Sequence, residues 1–160
     1  SFTSGIDDTY DSYVFKFYDI HPATNGTFFQ FNMSTDSGSN YNVAKTTTAF
    51  YAYHTESGSA SALTYDAGQD LAQGTGFQNL LYAISSDNDS AGSGELSIYS
   101  PSSDTFVKHF LATSNTAATT PYTINFRYAG YGNTTSAVNA IRFQMSSGNF
   151  DGVIKLYGVS

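Results

Sequence analysis

Asn139-Ala-Ile-Arg-Phe-Gln-Met-Ser146 alternates apolar and polar side chains one by one. On an extended chain Ile141, Phe143 and Met145 fall on one side, Arg142 and Gln144 on the other. A helix would need its apolar positions three and four apart, so the segment reads as a strand with one dry and one wet face. The same period of two recurs outward from it. Residues 13–20 set Tyr13, Phe15 and Phe17 against Val14, Lys16 and Tyr18, and residues 27–34 repeat the pattern with Phe29, Phe31 and Met33. Further alternating segments are 47–54, 78–85, 95–99, 105–113, 122–130 and 153–159, which makes about nine strands at the spacing of a sandwich or barrel.

Stretches rich in Ser, Gly, Asn and Asp separate these segments at 34–40, 56–62 and 87–94, and they favour turns through local hydrogen bonds and positive φ. Residues 60–76 form the longest run without clear periodicity and read as a meandering connection between two sheets. Residues 66–73 are the nearest approach to a helix, but they are short and interrupted by Gly68. With no crossover helices, the economical architecture is all-β: an antiparallel two-sheet β-sandwich, jelly-roll-like, with about nine strands. A chain of 160 residues has the usual size of one domain, so residues 1–160 are read as a single sandwich. The chain starts at Ser1 without a methionine, as a processed chain or a piece of a longer one would, which leaves room for an anchor segment upstream.

Composition supports this reading. There is no cysteine and no tryptophan, so disulfides and thiolate metal sites contribute nothing, and packing must come from 13 Tyr and 13 Phe. Charged residues make up only 12 %, against roughly 25 % in an average domain, which suits a β-protein with neutral polar faces. A formal net charge of −7 argues against a nucleic-acid partner, which would demand clustered Lys and Arg. The same charge repels anionic membranes, and no apolar run approaches the roughly 20 residues of a spanning helix.

Chemistry-bearing residues are sparse. His21, His54 and His109 sit in no metal or triad spacing and read as packing residues, with His109 expected inside the core between Val107 and Leu111. Asp87 and Asp89 offer hard oxygens suited to calcium, as do Asp7, Asp8 and Asp11, but Ala91 and Ile98 stand where a calcium loop needs ligands. No cofactor is expected beyond that candidate ion. A glycosidase or depolymerase would need two converging carboxylates, and nothing in the sequence selects a pair, so the chain is read as non-catalytic. Tyrosines near loops offer flat amphipathic rings for sugar or protein contacts, among them Tyr41 and Tyr65. Tyr122, Tyr128, Tyr131 and Asn133 are the candidate ligand-binding residues, because aromatic, Gly and Asn residues cluster between 122 and 133 in the manner of an adaptable binding surface.

Six motifs carry a family resemblance: Tyr10-Asp-Ser-Tyr-Val-Phe-Lys-Phe17 running on to Ile20-His-Pro-Ala-Thr24, Ala52-Tyr-His-Thr-Glu56, Ala72-Gln-Gly-Thr75, Ser86-Asp-Asn-Asp-Ser90, Pro101-Ser-Ser-Asp-Thr-Phe-Val-Lys-His-Phe110, and the closing stretch Ser146 to Val159 with its Ile154-Lys-Leu-Tyr-Gly158. Together they span almost the whole chain and resemble a β-sandwich virion module of tailed phages of marine bacteria, cyanophages especially. The resemblance implies a structural protein on the particle surface: a tail fibre, a capsid knob or a decoration protein. Its partners would be further copies of itself, with a homotrimer expected, and other virion proteins. The alternative is a receptor- or glycan-binding tip that mediates host adsorption. The resemblance supplies no catalytic residues.

Overall fold

The computed structural model describes residues 1–160, and every regular element in it is a strand. The ten strands are β1 (Ser12–Pro22), β2 (Thr27–Ser34), β3 (Lys45–Thr55), β4 (Ser61–Tyr65), β5 (Gln78–Ile84), β6 (Gly92–Tyr99), β7 (Lys108–Ala117), β8 (Tyr122–Gly132), β9 (Ala140–Met145) and β10 (Phe150–Val159). Seven of them form one sheet in the order β10-β1-β6-β7-β8-β3-β4, and three form a second in the order β5-β2-β9. All pairings are antiparallel. The protein is an all-β, two-sheet antiparallel sandwich.

The strand that sequence alternation left out is β4, which falls in the stretch read as turn and connection. All five of its residues are exposed, so no apolar face had to be written into it. It pairs with β3 through a short hairpin and forms one edge of the large sheet, as β10 forms the other. Residues 66–73 contain no helix, only turns and bends that lead across to the small sheet.

The small sheet lies over the middle of the large one, and one continuous cluster of 25 buried residues fills the space between. Its centre is aromatic. Phe29 of β2 stacks on Phe143 of β9 at 5.6 Å and meets Phe17 of β1 and Phe150 of β10 at 5.4 and 5.2 Å. Phe31 packs edge-on against Phe110 of β7 at 5.1 Å. Burying each such ring contributes about 2–3 kcal/mol. Alternation in β9 is as expected, with Ile141, Phe143 and Met145 buried and Arg142 exposed.

Two features depart from the sequence reading. In β7 the buried face belongs to Lys108, Phe110, Ala112, Ser114 and Thr116, so His109 and Leu111 lie on the solvent side instead of in the core. The neighbouring strands decide this, because their aromatic rings fill the interior and leave the even-numbered face of β7 to close it. The second departure is that Lys45 and Lys108 are both 0 % exposed. Lys45 Nζ donates to Asn32 Oδ1 at 2.6 Å and to the Val43 carbonyl at 2.8 Å. Lys108 Nζ donates to the carbonyls of Ser103, Phe106 and Thr134 at 2.6, 2.6 and 3.3 Å. Neutral oxygens hold both ammonium groups, and no carboxylate bonds to either.

Candidate functional site

Two surfaces stand out once the strands are in place. The first is the outer face of the large sheet. Tyr13, Phe15 and Phe17 point into the core, so Ser12, Val14, Lys16 and Tyr18 point outward. The register carries that face across the sheet: to Val153, Lys155, Tyr157 and Val159 on β10, to Glu95, Ser97 and Tyr99 on β6, and to Leu111 and Thr113 on β7. On the far side it comprises Arg127, Ala129 and Tyr131 of β8, Phe50 and Ala52 of β3, and Leu63 and Tyr65 of β4.

Of the 11 exposed large apolar side chains in the protein, all but Tyr10 and Phe106 lie on this face. They fall into two edge groups and a centre. Tyr18, Val153, Tyr157 and Val159 gather at the β10 edge; Phe50, Tyr65 and Leu63, which is 74 % exposed, gather at the β4 edge. Tyr99 and Leu111 lie between them, bordering a shallow hollow of about 420 Å³ that also takes in Thr46, Thr48, His109, Ala129 and Tyr131. The charged side chains Lys155, Lys16, Glu95 and Arg127 fall in one row of the register, where Lys16 and Glu95 sit 3.8 Å apart and Lys155 lies 5.5 Å from the Tyr18 ring centre.

The second surface is a cleft on the inner side of the large sheet. Tyr51 and Tyr53 of β3 and Tyr122 and Ile124 of β8 continue the core face of their strands, and Tyr82 of β5 approaches them from the small sheet. These five residues line a cavity of about 230 Å³. Its walls are fixed by ring contacts: Tyr51 and Tyr82 both pack on buried Phe126, at 4.9 and 5.3 Å, and Tyr53 meets Tyr122 at 5.6 Å. Burial and the surrounding phenols of Tyr82, Tyr51 and Tyr53 raise the Tyr122 pKa, which keeps its hydroxyl protonated at neutral pH.

The sequence candidates separate onto these surfaces. Tyr122 lines the tyrosine cleft and Tyr131 lines the outer hollow, where its ring meets His109 at 6.0 Å. Asn133 sits at the end of β8, and its Nδ2 donates to Gln73 Oε1 at 2.7 Å. Tyr128 is 1 % exposed and stacks flat on Phe126 at 5.0 Å, so it belongs to the core and is corrected from a surface contact to a packing residue. Strand parity explains it: Tyr128 shares the inward face with Ile124 and Phe126, whereas Tyr131 lies on the opposite one. Tyr51, Tyr53 and Tyr82 were missed because their alternation looks like ordinary core packing, and only the shortness of the small sheet leaves them open.

The acidic candidates are absorbed by turns. Asp87 Oδ2 accepts a bond from Ser85 Oγ at 2.9 Å, and its carbonyl accepts the Ser90 amide at 2.8 Å. Asp89 is exposed. Asp7 Oδ1 accepts from the Thr9 amide and the Tyr13 hydroxyl, which lowers its pKa. No group of three or more His, Cys, Asp or Glu side chains is placed to hold a metal ion. Comparison with protein family models, with curated proteins and with solved structures finds no match for this chain.

Proposed function

We propose that this chain is a non-catalytic structural module of a virion surface, a capsid decoration or tail-fibre protein of a tailed bacteriophage, and that it acts by contact with further copies of itself and with other virion proteins. The observation that carries the contact reading is the outer face of the large sheet, which holds nine large apolar side chains in the open. At roughly 100 Å² of exposed area apiece, about half of what a buried aromatic covers, they amount to roughly 900 Å². A standard protein interface takes about 800 Å² from each partner, so the face holds enough apolar area for one such contact or for two smaller ones. The phage setting is drawn from the sequence resemblance.

The arrangement of the apolar groups supports a ring over a simple twofold pair. The β10 group and the β4 group sit at opposite edges of the same sheet, six strand spacings or roughly 29 Å apart. Two different patches on one protomer suit a heterologous contact, in which the β10 edge of one copy meets the β4 edge of the next, and such contacts close into a ring where the rotation between neighbours divides the full turn. Strand β4 has no charged residue and no proline to guard its free edge, the condition in which a partner strand is expected to cover it. A homotrimer is the smallest ring of this kind. The jelly-roll description is supported by nested pairing: β1 with β10, β2 with β9 and β3 with β8, alternating between the two sheets.

Light scattering coupled to size-exclusion chromatography tests the assembly. Wild type is expected to elute as a trimer, and Leu63→Glu or Tyr157→Glu as a monomer with unchanged circular dichroism. A wild-type monomer at every concentration measured, together with absence of the chain from purified particles, would overturn the proposal.

A further inference from the structure

We propose that the cleft between Tyr51, Tyr53, Tyr82 and Tyr122 is a binding subsite for one uncharged pyranose ring. The proposal does not depend on how copies of the chain assemble, because the cleft is built within a single protomer from both sheets.

Three observations select the ligand. Hydroxyl bookkeeping comes first: among all the tyrosines, only Tyr13 and Tyr65 have hydroxyls hydrogen-bonded inside the protein. The four phenols of the cleft therefore have no internal partner, and each can donate one bond and accept others. A purely apolar ligand would cover these groups without satisfying them, at a cost of about 1–3 kcal/mol for each one desolvated. Charge comes second. No acid, base or amide side chain lines the cleft, and the protein as a whole carries −7, so an anionic ligand finds no counter-charge and a repelling field. Shape comes third. The cavity of about 230 Å³ falls below the roughly 300 Å³ at which drug-sized pockets begin, which leaves room for one ring.

A neutral pyranose answers all three. Its C–H face lies against an aromatic ring, its equatorial hydroxyls exchange bonds with phenols, and it carries no charge. The walls are already in position, since Phe126 buttresses Tyr51 and Tyr82 from behind and Phe28 packs edge-on against Tyr82 at 5.2 Å. Rigid aromatic walls limit the ordering entropy that a sugar site would otherwise have to overcome. A single ring held by a few such contacts binds with a dissociation constant on the order of 1–10 mM.

Saturation-transfer difference NMR with the methyl glycosides of glucose, galactose and mannose tests the site on the intact chain, with N-acetylneuraminic acid as the anionic control. At least one neutral glycoside should show transfer to its ring protons, and the control none. Tyr122→Phe keeps the wall and removes one hydroxyl, and should weaken binding about fivefold, the worth of one hydrogen bond. Tyr53→Ala should abolish it, and Tyr131→Phe on the outer face should leave it unchanged. Silence from all three glycosides, or binding that survives both Tyr122→Phe and Tyr53→Ala unchanged, overturns the proposal. Neither result bears on the trimer.

Discussion

Raising the pH from 8 toward 10 should make this protein more stable, the reverse of what most domains do. The cause is Lys45, which is fully buried and bonded only to the Asn32 side-chain oxygen and the Val43 carbonyl. Desolvation lowers its pKa from 10.5 to about 8. Between those values the unfolded chain binds a proton at this position that the folded chain does not. Unfolding then takes up a proton, and stability rises with pH across the interval. At 1.36 kcal/mol per pKa unit, the full swing is about 3 kcal/mol, absent below pH 8 and complete only near pH 10.5. Lys108, whose pKa burial also lowers, adds in the same direction. Tyr128 opposes the upper end. Burial raises its pKa far above that of a free phenol, so the unfolded chain loses that proton first and stability falls beyond about pH 10. The expected curve climbs from pH 8, peaks near pH 10 and then declines. Urea denaturation followed by far-ultraviolet circular dichroism at pH 7, 8, 9, 10 and 11 measures it, because tyrosine fluorescence would itself change over this range. In Lys45→Met only the smaller climb due to Lys108 should remain. A flat or falling wild-type curve between pH 8 and 10, or an undiminished climb in Lys45→Met, would refute the reasoning.

Two further substitutions probe the interior. The Tyr128 hydroxyl is buried without a hydrogen-bond partner, so Tyr128→Phe should stabilise the fold by about 1 kcal/mol, seen as a higher denaturation midpoint at unchanged slope, and soften the decline above pH 10. Gly152 holds a φ of 139° beside the bulge in β1, where an added Cβ would meet Ile20 Cδ1 at 2.8 Å and the carbonyls of Asp19 and Tyr18 at 3.0 Å. Gly152→Ala should therefore cost more than about 1 kcal/mol in the same assay, whereas a neutral result would show that the β10 edge adapts freely.

Alternation alone was enough to read β1, β2 and β9, because a strand between water and a core must repeat every second residue. It failed where that constraint lapses. Strand β4 touches no core and so carries no period. In β7, Val107, His109 and Leu111 look like the inner set, and the partly apolar face opposite them, with Phe110 and Ala112, is the one buried. Lys45 and Lys108 gave no sign of burial, since the oxygens that hold them come partly from loops and distant residues such as Asn32 and Thr134. The candidate sugar site shows the same limit. Tyr122 stood out by its loop-rich neighbourhood, but Tyr51, Tyr53 and Tyr82 looked like core until the small sheet proved too short to cover them.

From the order of its residues this chain could only be extended, layered and built around phenylalanine and tyrosine, because backbone pleating turns a period of two directly into faces. Which strands became edges, which tyrosines stayed open and which lysines went inside was decided in three dimensions. Those outcomes depend on how seven strands and three overlap, a quantity set by pairing between residues far apart in the chain and written in no single segment of it.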